Sequence, residues 1–91
     1  MRNYEIKPYL KEILSKLSKK DKLMYERVLN KIEEIININD IEHYKNLRYD
    51  LKNKKRVHLG HFVLVFTYNK EVDAISFVDF GHHDEVYERD K

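Results

Sequence analysis

Two short stretches of this chain carry the residue types that move protons and hold phosphate. One is Arg56-Val57-His58, preceded by Lys54 and Lys55; the other is His82-His83-Asp84, followed closely by Tyr87. Histidine near neutral pH can act as general acid or general base, and arginine offers a planar fork suited to phosphate. Cleavage of RNA through its own 2′-hydroxyl needs such parts. A base takes the hydroxyl proton, cations hold the crowded phosphate, and an acid protects the departing oxygen. Aromatic rings hold a splayed base by stacking. The candidates for this chemistry are His83, Tyr87, His58 and Arg56. Each has a plainer reading beside it: His58 as a surface strand residue, His83 as a turn residue, Tyr87 as a lid over the core.

Other chemistries are less well provided for. Cysteine is absent, which removes disulfides and thiolate metal sites. Gly60 and Gly81 are the only glycines, too few for a phosphate-cradling loop, and no Ser-His-Asp arrangement stands out. Five histidines raise the question of a metal. Adjacent residues on an extended chain point to opposite faces, so His82 and His83 are not expected to converge on one ion. Their spacing also matches no usual zinc pattern. No metal and no cofactor are expected.

Charge points toward nucleic acid. The net charge is only +2, but it is unevenly spread. Between Lys45 and Arg56 the basic residues Lys45, Arg48, Lys52, Lys54, Lys55 and Arg56 meet one acid, Asp50. Such a run can neutralise phosphates, or simply keep a loop and strand edge solvated. Arg48, Lys52, Lys54 and Lys55 are the candidate RNA contacts. A hydrophobic fraction of 42% and a charged fraction of 37% fit a soluble globular chain. Its 91 residues suit one domain, 1–91, with a modest core that a partner could help stabilise. No apolar run is long enough to span a bilayer, and the N-terminus lacks the apolar core of a signal peptide. The expected location is therefore cytoplasmic.

The elements that must position these residues can be read from periodicity. Tyr4 and Ile6 alternate in a short opening strand, Asn3 to Lys7. Pro8 suits a first helical turn, and Leu10, Ile13, Leu14 and Leu17 then mark one helix face. Ser18 and Asp21 punctuate the break before a second helix, striped by Tyr25, Val28, Leu29, Ile32, Ile35 and Ile36. Asn37, Asn39 and Asp40 end it. From Lys54 to Leu59, Lys54, Arg56 and His58 alternate with Lys55, Val57 and Leu59, placing the first three on one strand face. Gly60-His61 makes a turn, Phe62 to Tyr68 reads as a strand covered on both faces, and Val72 to Phe80 as the next strand. Val86-Tyr87 would then pair or pack. The expected fold is α+β: an N-terminal strand, a two-helix hairpin, then an antiparallel meander packed on the helices.

Tyr4-Glu5-Ile6, the helical hairpin, the stretch from Arg56 to Phe66 and the ending Phe80-Gly81-His82-His83-Asp84-Glu85-Val86-Tyr87 together resemble the RelE/ParE toxin superfamily. The pattern in those proteins is Arg-x-Arg-Val-Gly-x-Tyr-Arg-Val-x-Tyr in a strand pair, then Gly-His-Arg-x-x-Val-Tyr. Arg56 meets the first basic position and Tyr87 the last aromatic one. His58 stands where a second Arg or Lys is usual, and His83 where the ending has arginine. Val63 takes the place of the arginine after the turn, which removes one phosphate-holding cation.

The resemblance implies the toxin of a type II toxin–antitoxin module. Its expected activity is ribosome-dependent cleavage of messenger RNA by 2′-hydroxyl attack, without a metal. Its implied partners are a RelB-like antitoxin, the ribosome and mRNA. In that scheme His83 and His58 transfer protons, Arg56 with Lys54 stabilises phosphate, and Tyr87 orients the RNA. The run through Lys52 docks ribosomal RNA, a salt-sensitive contact. Two alternatives stand beside it: an inactive homologue acting through antitoxin binding and operon co-repression, and a ParE-like toxin that binds DNA gyrase.

Overall fold

A computed structural model describes residues 2–41 and 54–89, and the backbone of residues 45–46. The elements run β1 (Asn3–Ile6), α1 (Pro8–Lys20), α2 (Lys22–Asn37), β2 (Lys45–Asn46), β3 (Lys54–Leu59), β4 (Phe62–Asn69), β5 (Ala74–His82) and α3 (His83–Arg89). The strands form one sheet in the order β1-β5-β4-β3-β2. β3, β4 and β5 make the antiparallel meander, and β1 joins its far edge parallel to β5.

The helical hairpin follows from its end signals. Pro8 opens α1, with no backbone N–H to leave unpaired. α1 and α2 are separated by a single residue, Asp21, whose carboxylate accepts a hydrogen bond from the Met24 N–H at 3.1 Å. Ser18 stays inside α1 and donates to the Ser15 carbonyl, so the stop lies at Asp21. Asp21→Ala is expected to lower stability by about 1 kcal/mol, the usual worth of such a cap. In a thermal melt that is a drop of roughly 4–8 °C for a domain of this size.

Both helices cover one face of the sheet. Leu10, Leu14, Val28, Ile32, Ile35 and Ile36 pack against Leu59, Leu64, Phe66, Ile75, Phe77 and Phe80, all buried. Leu29 is 38% exposed, because it lies at the edge of its helical stripe. The opposite face of the sheet carries a smaller cluster in which Val63 and Val65 of β4 meet Val86 of α3. β4 is therefore covered on both sides, which is why nearly every residue in it is apolar.

Two elements depart from the periodic reading. β2 adds an edge strand of two residues, paired through Lys45 with Arg56 and Asn46 with Lys55. The ending expected to pair or pack does so as a helix, α3, with acidic Asp84 and Glu85 in its first turn and Arg89 in its last. Those charges suit the helix dipole. Seven residues with one buried position are too few to show a period, so charge placement was the available signal.

Candidate functional site

The site lies on the α3 face of the sheet, and strand register assembles it. Cα partners across an antiparallel pair point to the same side. In β3, Lys54 pairs with Thr67, Arg56 with Val65 and His58 with Val63. Lys54, Arg56 and His58 thus share the face on which Val63 and Val65 hold α3. Lys55 pairs with Phe66 and falls on the helical side, only 7% exposed. Period two separates it from its neighbours. Arg48 and Lys52 lie outside the described residues.

The Gly60-His61 turn brings β4 back alongside β3. Gly60 has a φ of 66°, as the first central residue of a two-residue hairpin loop of this kind requires. β5 then pairs Gly81 with Val63 and His82 with Phe62. The His83 N–H donates to the His61 carbonyl at 3.0 Å, and at that point the chain turns into α3. This turn places His83 over the end of β3. Its ring lies 6.3 Å from that of Tyr87, one helical turn further on. Tyr87 also packs on the Val63, Val65 and Val86 cluster, so it covers this small core while flanking His83.

His58 of β3 and His83 at the start of α3 therefore come together on this face. The His58 imidazole is pushed below its ordinary value of 6.5, first by partial loss of water, then by the Arg56 guanidinium and by His83. Each cause disfavours a second positive charge in the cluster. These causes favour the neutral, proton-accepting form of His58. The folded chain consequently binds fewer protons than the unfolded chain between that lowered value and 6.5. Stability is expected to rise with pH through this window, and to fall as pH drops through the folded value. Comparing urea unfolding of the wild type and His58→Ala across pH 5 to 7.5 reads this; parallel curves would remove His58 as the source.

Asp84 was not singled out for this cluster, and the helical turn brings it in. Its carboxylate lies 2.9 Å from His83 Nδ1. With Nδ1–H donating to Asp84, the His83 ring is held in place and Nε2 is left as the atom that exchanges a proton, the kind of orientation a proton-transfer histidine needs. At the other end of α3, Arg89 donates through Nε and Nη2 to both oxygens of Asp79, at 3.1 and 2.9 Å. This two-point bond fastens α3 to β5. Beside it opens a cleft of about 320 Å³ lined by Lys54, Tyr9, Asp79 and Arg89 over Val65, Val78 and Val86.

One expectation changes here. His82 and His83 do not diverge: because His83 begins a helix, their rings stack 4.6 Å apart, with Asp84 beside both. Val63, where the related pattern has arginine, is fully buried beneath α3 and is not an open position on the site surface.

Known proteins resemble this chain in sequence and in fold. No protein-family model matches the chain. Across its full length it is 48% identical to a Methanocaldococcus jannaschii protein described as "Putative toxin RelE4", covering 96% of that protein. The chain belongs to the RelE toxin family. Over 91% of its length it is also 38% identical to an uncharacterised Methanosarcina mazei protein, covering 95% of it. The isolated Escherichia coli RelE toxin has the same fold, with a TM-score of 0.71 at 20% identity and full coverage of both chains. The conserved hypothetical protein HP0892 of Helicobacter pylori superposes with a TM-score of 0.58 at 27% identity, over 94% of this chain and 99% of that one. The RelE-family fold thus includes β1, the helical hairpin and the meander expected above. Among the described residues no helix is long and apolar enough to cross a membrane.

Proposed function

We propose that this RelE-family chain is the toxin of a type II toxin–antitoxin module and cleaves messenger RNA on the ribosome. Membership of the family supports the toxin role and a protein antitoxin as partner. The finer reading is carried by one observation: β3 and the start of α3 bring Arg56, His58, His83 and Tyr87 to one sheet face. An imidazole biased toward its neutral form and a second, carboxylate-supported imidazole meet there beside a guanidinium.

In this scheme His58 takes the proton from the 2′-hydroxyl, whose oxygen attacks the adjacent phosphorus. Arg56 stabilises the charge that builds on the phosphate oxygens, with Lys54 two residues away on the same face. His83, entering the step as an imidazolium with Nδ1–H on Asp84, delivers its Nε2 proton to the departing 5′-oxygen and ends neutral, leaving a 2′,3′-cyclic phosphate. Tyr87 holds the RNA against the cluster. The protein's own groups account for every proton, so the chemistry draws on no metal. The surroundings of such a toxin, ribosome and mRNA, are those of the cytoplasm.

The test is cleavage of a defined mRNA on programmed ribosomes and free in solution. Cleavage is expected on the ribosome, with cyclic phosphate ends. With His58 as the base, the acid limb of the rate profile should have its midpoint below pH 6.5, following the lowered imidazole value. Gyrase inhibition without RNA cleavage would reassign the chain to the ParE-like mode. Absence of both activities would leave antitoxin binding and operon co-repression.

A further inference from the structure

The pair of stacked histidines at the start of α3 is only half used by the mechanism. His83 takes part in proton transfer, whereas His82 has no role there. Asp84 lies between them, its carboxylate 2.9 Å from His83 Nδ1 and 3.8 Å from His82 Nδ1. One ligand atom from each of the three lies within 4.8 Å of the others. Two imidazoles and a carboxylate are a donor set suited to Zn²⁺. The spacing in hand is wider than a bound ion needs, since zinc sits about 2.0–2.2 Å from nitrogen and oxygen donors. The side chains can close that gap. Both histidines are little more than one-third exposed and Asp84 is 78% exposed, so rotation meets no packed core. The His61 ring lies nearly parallel to that of His82, with 6.2 Å between centroids.

We propose that His82, His83 and Asp84 bind a zinc ion through three protein ligands, and that this ion switches the toxin off. The ion replaces the Nδ1 proton of His83 and takes over the Asp84 carboxylate. The Asp84 hydrogen bond that sets the His83 tautomer is then lost, and the ring is held on the metal instead of the RNA. Three ligands leave one position for water. The inhibitory consequence rests on the role given to His83 above; the binding itself does not.

Tag-free protein titrated with zinc chloride, followed by calorimetry and by histidine-ring NMR signals, tests the site. One equivalent should bind and shift the His82 and His83 resonances, and His82→Ala and Asp84→Asn should each weaken binding tenfold or more. Equal affinity in the wild type and both variants overturns the site. In the ribosome assay zinc should suppress wild-type cleavage, while His82→Ala cleaves at the wild-type rate and resists zinc. Stimulation of cleavage by zinc, or equal inhibition of His82→Ala, overturns the switch. A wild type that cleaves nothing without zinc would count against the proposed nuclease function, and the titration would still decide the site.

Discussion

Replacing His83 by alanine is expected to lower ribosome-dependent mRNA cleavage by about 10²–10⁴-fold, the usual worth of a positioned proton-transfer group. That corresponds to roughly 3–5 kcal/mol of barrier. The loss should fall on the chemical step and not on folding. His83 is partly exposed, and the packing of α3 is carried by Val86 and by the Arg89–Asp79 bond. Single-turnover cleavage on programmed ribosomes, beside a urea unfolding curve, separates the two effects. Asp84→Asn should fall between wild type and His83→Ala, because it weakens the tautomer-setting bond without removing the ring. Cleavage by His83→Ala within twofold of wild type would falsify the catalytic assignment.

The second large effect concerns Val63. The related pattern has arginine at this position, which suggests that Val63→Arg would restore a phosphate-holding cation. The structure predicts the opposite. Val63 is fully buried against Val65 and Val86, with His58 and Gly81 as its cross-strand partners. A guanidinium there must enter an apolar cluster beside an Asp79 carboxylate already bonded to Arg89, or push α3 off the sheet. An uncompensated buried charge costs on the order of 3 kcal/mol or more. Small domains hold only about 5–15 kcal/mol in total, so the loss is severe. Val63→Arg should therefore show a lowered urea midpoint, and its cleavage should drop as α3 and His83 lose their seat. An unchanged midpoint with faster cleavage would mean that the arginine reaches solvent and that the buried valine is dispensable.

Both predictions show how the site combines local and distant information. The alternation of Lys54, Arg56 and His58 was legible because one face of a strand repeats every second residue. Lys55 shows the limit of reading charge alone. It belongs to the same basic run, yet the same period turns it to the helical side and buries it. The ending His82-His83-Asp84 was misread for a related reason. Extended backbone would separate the two rings, and a helix beginning at His83 stacks them instead.

The sequence by itself determined the order and type of the main elements. It also determined which face of β3 carries the cations and the residue types able to move a proton. These are local properties, set by hydrophobic period, the proline at a helix start, the aspartate cap and the glycine turn. The tertiary structure decided which of those residues meet. His58 and His83 are distant in the chain, and only the β3-β4-β5 pairing with the turn into α3 brings them to one surface. It also decided that Asp84 stands beside both histidines. Strand order and the path of a short helix depend on long-range packing, which no local period records.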